Sequence, residues 1–210
     1  AGYGISSRRR FNTKKATGMQ AGQYVVVLVQ PEDWAFCNSE SWSRPSHDRR
    51  SSSSSLRQAF GIHPQCANCI TPPQPNNNHN PNWLRHIKSH LQSAPWAIVG
   101  EIGLDRNTHF KSFFASHQHP TFLLQLRLAT ELHRPVSIHS VKADGTLVEI
   151  LQTEIAEKRG LPPTICLHSF SGSMETLQRI IRIVEQSNTK HHNAAGNSQS
   201  KCRVFVGFNA

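Results

Sequence analysis

Six short apolar segments recur along the chain, each of the length of a β-strand. They cover residues 24–29, 56–61, 97–100, 135–138, 164–167 and 204–208. Several are continuous apolar runs rather than alternating ones, which is typical of strands buried on both faces of a parallel sheet. We therefore predict six strands of a parallel sheet.

Amphipathic stretches with helical spacing separate the later apolar segments. Their apolar positions are Leu84, Ile87 and Leu91, then Phe122, Leu126 and Ala129, then Leu147, Leu151 and Ile155, and last Leu177, Ile181 and Val184. Asn82 and Asp144 are predicted N-caps, and Gly160 is predicted to close the third helix. Alternation of strand and helix predicts an α/β fold with right-handed crossovers.

The remaining chain is polar. Residues 1–23 form a basic segment that we expect to be a flexible arm, and residues 24–210 form one domain. Polar inserts are predicted near 38–55, 71–82, 107–119 and 187–201, since sequences rich in Pro, Ser and Asn bury too little apolar surface to offset their ordering entropy.

The chain has 210 residues and a formal net charge of +10, which is densest between residues 8 and 15. This charge permits a nucleic-acid partner but does not establish one. No apolar run reaches about 18 residues, so a membrane span is not expected. A secretory signal is not evident either, and we expect a cytoplasmic or nuclear protein.

Five cysteines are an odd number without the spacing of a disulfide framework, which favours a reducing compartment. Cys66 and Cys69 form a C-x-x-C motif. No second Cys or His pair stands at zinc-ribbon spacing from them, so the motif alone is weak support for a zinc or redox site.

Ionisable side chains follow four successive predicted strands. They are His63, Glu101, His139 and His168. The carboxyl ends of parallel strands meet on one face of the fold, so these groups are expected to share one pocket. A carboxylate in an apolar stretch, such as Glu101, is costly to bury unless it is paired or binds a metal.

A structural role is the alternative explanation for these four residues. The chain holds 13 His, and a single His at a strand end is more often a hydrogen-bonded structural group. The convergence of four such residues is the stronger observation. Glu with two His suits a divalent metal such as Zn²⁺ or Mn²⁺.

Four ordered blocks resemble those of TatD-like metal-dependent hydrolases. They are AFGIHP at 59–64, VGEIGLD at 99–105, RPVSIHS at 134–140 and LHSFSGS at 167–173. Residues 122–143 look most like eukaryotic members. The resemblance implies a TIM (β/α)₈ barrel that hydrolyses phosphodiester bonds in DNA with divalent metals (Zn, Mg or Mn), two in the complete protein.

The resemblance also implies residue roles. Glu101 would be the catalytic carboxylate that bridges the metals, and His139 and His168 would be metal ligands. His63 would bind substrate at the rim, with Ser140 and Lys142 as neighbouring substrate contacts.

The sequence departs from the family pattern at both ends. A His-x-His pair is not found near the start, and the chain ends before the late Asp of the family. We therefore expect an incomplete barrel of about six of the eight strands, truncated at both ends, with poor metal binding and impaired activity. Two alternatives remain: a metal-dependent hydrolase of small-molecule esters or amides, and a non-catalytic interaction protein that retains the barrel.

Overall fold

The computed structural model describes residues 23–28, 55–71, 80–192 and 201–207. Within these ranges six strands form one parallel sheet, in which each strand pairs with the next one in the sequence. The strands are β1 (Gln23–Leu28), β2 (Ser55–Phe60), β3 (Ile98–Asp105), β4 (Val136–Val141), β5 (Thr164–His168) and β6 (Arg203–Val206).

The strand order explains the architecture. Every connection advances by one strand in the same direction, so the order β1-β2-β3-β4-β5-β6 has no point at which it reverses. A doubly wound sheet reverses its strand order, whereas the wall of a (β/α)₈ barrel does not. The predicted α/β barrel architecture is confirmed.

Four α-helices pack against the sheet in the described part of the chain. They are α1 (Asn82–Ser93), α2 (His119–Glu131), α3 (Asp144–Ala156) and α4 (Met174–His192). The apolar stripes predicted for the first three are buried in one core with the helix-facing side chains of the strands. In α4 the prediction was partly wrong, because Ile181 is 38% exposed and Ile180 is buried in its place. Adjacent positions on a helix differ by about 100° in direction, so a shift of one residue decides burial.

The predicted caps of two helices are corrected by one residue. Pro81 is the N-cap of α1, and Asn82 is its first helical residue, where its Oδ1 accepts a hydrogen bond from Arg85. Ala143 is likewise the N-cap of α3, and Asp144 lies in the first turn. An acidic residue there still favours the helix, since it faces the positive end of the helix dipole. At the other end of α3 the helix stops at Ala156, before the predicted closing glycine Gly160.

Strand β3 is longer than predicted, and this changes the position of Glu101. The prediction ended the strand at residue 100, whereas the structure continues it to Asp105, so Glu101 lies inside the strand. The pairing of β3 with β4 shifts register between Val99 and Ile102. Gly103, with φ +149°, lets the two backbones approach, because a Cβ there would lie 1.9 Å from the carbonyl oxygen of His139.

Two predicted inserts are partly helical. A 3₁₀ turn (Lys111–Phe113) and a π-helical turn (Phe114–Gln118) lead directly into α2, and Phe114 and Gln118 are buried. Helix α4 extends to His192, into the insert predicted at 187–201. The predicted arm up to residue 22 and residues 38–54, 72–79 and 193–200 of the inserts lie outside the described residues. No helix among those described has the length and apolar character needed to cross a membrane.

Candidate metal centre at the carboxyl ends of the strands

Four ionisable side chains from four neighbouring strands meet on the carboxyl-end side of the sheet. His63 follows β2 and is the N-cap of a 3₁₀ turn (Pro64–Cys69). Glu101 lies in β3, His139 in β4 and His168 at the end of β5, and the pairing of β4 with β5 places His139 beside His168. The predicted convergence of these residues is therefore observed.

Glu101 lies at the centre of this cluster. Its Oε1 is 2.8 Å from Nδ1 of His168 and 3.3 Å from Nδ1 of His139. The ring of His63 packs against that of His139, with centroids 4.6 Å apart and planes inclined by 65°. One carboxylate is thus surrounded by three imidazoles.

Three of the four residues form a compact donor set. His63, Glu101 and His139 each offer one ligand atom, and these atoms lie within 4.8 Å of one another. The sequence predicted His168 in this set and His63 at the rim. In the structure the side chain of His168 is 53% exposed, whereas that of His139 is 18% exposed. His63 is thus placed among the donor atoms rather than only at the rim. The ligand role of His168 and the substrate role of His63 stay predictions.

Asp105 is a member of the site that the sequence reasoning missed. It ends β3, is buried, and its Oδ2 lies 3.5 Å from Nε2 of His139. Gln65 donates to the same oxygen over 2.8 Å, and Gln118 holds the Asp105 backbone through bonds of 2.7 Å to its N–H and 3.0 Å to its carbonyl. Alternation along β3 could have found it, because Glu101 and Asp105 are four residues apart.

Electrostatic coupling within the cluster shifts three pKa values. Burial alone would raise the pKa of Glu101, but the hydrogen bonds from His139 and His168 outweigh it and lower the pKa to about 2. Burial works against the charged form of His139 too, yet Glu101 and Asp105 raise its pKa above the usual value. Burial and the neighbouring His139 lower the pKa of His63 to about 4. Glu101 is thus an anion at neutral pH, and His63 is neutral.

The donor set fits a divalent metal ion. Nε2 of His139 is buried and has no hydrogen-bond partner, since Asp105 at 3.5 Å lies too far for a good hydrogen bond. A buried polar atom without a partner is costly, and a metal ion is one way to satisfy it. Two imidazoles with one ionised carboxylate are ligands that Zn²⁺ and Mn²⁺ accept.

Two predicted substrate contacts, Ser140 and Lys142, are not members of the donor set. Ser140 is buried on the opposite face of β4 from His139, and its hydroxyl donates to Oδ1 of Asp144 over 2.6 Å. Successive residues of a strand point to opposite faces, so this position does not support the predicted role of Ser140, which stays a prediction. Lys142 is exposed just after β4, with φ +52°, and its role stays a prediction.

The fold and the cluster together define a class of protein: an α/β barrel that presents a His–Glu–His set at the carboxyl ends of its strands. The family model described as "TatD related DNase" matches residues 9–188, so the chain belongs to that family.

Among curated proteins, the Cut9-interacting protein scn1 of Schizosaccharomyces pombe is 30% identical, over 46% of this chain and 42% of that protein. An uncharacterized deoxyribonuclease of Saccharomyces cerevisiae is 33% identical, over 44% of this chain and 34% of its own length. The 3'-5' ssDNA/RNA exonuclease TatD of Escherichia coli is 32% identical, over 43% of this chain and 33% of that protein. The chain thus spans less than half the length of these relatives.

A solved structure shows the same fold. The crystal structure of YJJV, a TatD homolog from Escherichia coli, superposes with a TM-score of 0.53 at 24% identity. The alignment covers 76% of this chain and 52% of that one.

Proposed function

We propose that this chain carries the catalytic centre of a divalent-metal-dependent hydrolase of nucleic-acid phosphodiester bonds, with DNA as the expected substrate and the cytoplasm or nucleus as the expected location. The observation that carries the proposal is the donor set of His63, Glu101 and His139. Relatives whose names state deoxyribonuclease or exonuclease activity support it.

Each side chain of the cluster has a distinct part in this proposal. Glu101 is ionised at neutral pH and would hold the metal together with ring nitrogens of His139 and His63. When bound, one or two divalent cations would supply a more acidic water molecule and polarisation of the phosphoryl group. His168 orients the Glu101 carboxylate through its hydrogen bond, and Asp105 keeps negative charge beside His139.

The segment beside the cluster favours a nucleic acid over a small neutral ester. Arg106, next to Asp105, is exposed, and its guanidinium lies 4.8 Å from the ring centroid of Phe114. The rings of Phe110 and Phe113 pack edge to face 6.1 Å apart in the same segment. No Asp or Glu occurs between residues 106 and 130. An exposed cation in a segment without acidic side chains is typical of surfaces that attract phosphates.

The test is cleavage of a fluorescently labelled single-stranded DNA oligonucleotide with Mn²⁺, Mg²⁺ or Zn²⁺. Because an incomplete barrel is expected to impair activity, we expect weak metal-dependent cleavage that Glu101→Gln abolishes. Glu149→Gln, a matched change at an exposed position of α3, is expected to retain it. Metal-dependent activity on small esters or amides alone would contradict the nucleic-acid substrate. Absence of any hydrolysis by a folded protein would favour the non-catalytic alternative.

A further inference from the structure

The 3₁₀ turn that follows β2 carries two cysteines that the proposed hydrolase chemistry does not use. Cys66 and Cys69 both lie in the turn Pro64–Cys69, where Cys69 is exposed and Cys66 is half-buried. The side chains of Pro64 and Ala67 are buried and anchor the turn against the core.

The turn places the two cysteines on one side, with a Cα separation within the range of disulfides. Residues three apart in a 3₁₀ helix lie on the same side, and a rise of about 2 Å per residue puts their Cα atoms about 6 Å apart. Disulfide-bonded cysteines usually have Cα separations of about 4.4 to 6.8 Å. A disulfide also needs its Cβ atoms about 3.5–4.5 Å apart. Side chains three apart in a 3₁₀ turn are separated by about 6 Å, so closure draws the turn together and moves its backbone.

The same turn is connected to the metal centre by hydrogen bonds. Nδ1 of His63 accepts from the backbone N–H of Gln65 over 3.3 Å, and the carbonyl of His63 accepts from the N–H of Cys66 over 2.9 Å. The side chain of Gln65 donates to Asp105 over 2.8 Å. A backbone movement at Cys66 would therefore shift His63, a metal donor, and Asp105, the carboxylate beside His139.

Two other cysteines of the described structure differ from this pair. Cys202 is buried, and burial raises the pKa of its thiol to about 12. Cys166 is half-buried, and partial burial together with the nearby Glu101 raises the pKa of its thiol. Thiols with a raised pKa react slowly, because the thiolate is the reactive form. The turn differs from both positions in having an exposed cysteine, Cys69, with a second cysteine three residues before it.

We propose that Cys66 and Cys69 are a reversible redox modification site that weakens metal binding when it is oxidised. The oxidant is a low-molecular-weight disulfide. The Cys69 thiolate attacks one of its sulfurs and releases one thiol, and the Cys66 thiolate then attacks the Cys69 sulfur and releases the second. The protein loses two thiol hydrogens and gains one S–S bond, while the oxidant is reduced to two thiols. Excess thiol reverses both steps.

The first test uses a favourable arrangement of trypsin sites. Cleavage after Arg57 and Arg85 releases residues 58–85, which contain Cys66, Cys69 and no other cysteine. After treatment of the folded protein with oxidised glutathione, we expect this peptide to take up no alkylating reagent and to be lighter by two hydrogens. After reduction it should take up two alkyl groups. A peptide that keeps two reactive thiols, or that carries glutathione on either cysteine, would overturn the proposal.

The second test measures the link to the metal centre, and this part rests on the proposed function. Mn²⁺ is the probe, since it prefers oxygen and nitrogen ligands to thiolates. We expect the oxidised protein to bind Mn²⁺ about tenfold more weakly, as for loss of a supporting contact of a metal ligand. The variant Cys66→Ser/Cys69→Ser should bind equally before and after glutathione treatment.

The two tests separate the possible failures. Equal Mn²⁺ affinity of the reduced and oxidised forms would overturn the proposed effect of oxidation on metal binding. It would not affect the proposal that the disulfide forms. If neither form binds Mn²⁺, the link fails together with the proposed metal centre. The peptide masses decide the disulfide in every case.

Discussion

Two carboxylates with basic partners, Glu101 in the candidate metal centre and Glu154 in the helix layer, show how the partner determines the chemistry open to an acid that is shielded from solvent. Glu101 is paired with His139 and His168 at the carboxyl ends of the strands. Glu154, on α3, is 2% exposed and binds two arginines. Arg127 reaches it through two contacts of 2.8 and 3.0 Å, and Arg159 adds a contact of 3.0 Å.

The two sites differ in whether the basic partner can lose its proton and bind a metal. A guanidinium is always charged and cannot ligate a metal, so Glu154 is held permanently in an ion pair. An imidazole can give up its proton and present a lone pair, so Glu101 and its partners can bind a cation instead of each other. Hydrogen bonds lower the pKa of both carboxyls, but only the imidazole partners leave a donor set that could hold a metal ion.

The largest effect is expected when a donor is removed from the metal centre. We predict that His139→Asn weakens Mn²⁺ binding by more than about 100-fold, since loss of an outer partner alone costs about 10–100-fold. Isothermal titration calorimetry measures the affinity. His133→Asn is the matched control, because His133 is exposed and its φ of 53° suits Asn. Equal affinities of the two variants would contradict the assignment of His139.

Breaking the arginine-paired site should affect stability instead. Glu154→Gln is predicted to lower the free energy of unfolding by about 2 kcal/mol. This is less than for a completely buried pair, since both arginines are about one-third exposed. Mn²⁺ affinity should not change. Urea unfolding measures the loss, with Glu157→Gln, a change at an exposed partner of Arg159, as the control expected to stay near wild type. A weaker metal affinity in Glu154→Gln would remove the contrast between the two sites.

Asp105 tests whether the metal centre extends beyond its donor set. We predict that Asp105→Asn lowers Mn²⁺ affinity about tenfold, because it removes negative charge beside His139 and weakens the contact with Gln65. The far-ultraviolet circular dichroism spectrum should be retained. An unchanged affinity in the folded variant would show that Asp105 is only structural.

The smallest effect separates the two sites by pH. His139 must lose its proton to bind a metal, and its pKa is raised, so Mn²⁺ affinity should fall a few-fold from about pH 7.5 to 6.5. The pKa of Glu154 is lowered in the folded state. Its stabilisation is therefore complete above the unfolded pKa of about 4.3 and is lost only as the pH falls through the lowered value. Titration calorimetry and urea unfolding over the pH series measure the two profiles. A constant metal affinity down to pH 6 would contradict the raised pKa of His139.

The core could be predicted from periodicity because burial repeats with the helix and strand periods. The stripes of Leu84, Leu126 and Leu151 were correct for this reason. The predicted burial of Ile181 and the predicted N-cap at Asn82 were each wrong by one position. Neighbouring residues on a helix differ in direction, and a cap is set by backbone angles that composition does not reveal.

The site was predictable in part from the positions of charged residues near strand ends. Glu101, His139 and His168 come together as expected, because parallel strands bring their carboxyl ends to one face. Ser140 lies on the other face of β4, because it directly follows His139 in the strand, and its predicted role stays a prediction. Asp105 was missed because the predicted strand ended too early.

The sequence by itself determined the α/β class, most positions of the apolar stripes and the convergence of His63, Glu101, His139 and His168, since these follow from local periodicity and strand direction. Only the tertiary structure decided that His63 lies among the donors, that Asp105 supports His139, and that the C-x-x-C turn contacts the same site. These relations depend on the register of β3 and β4 and on side chains distant in sequence, such as Gln65 and Asp105.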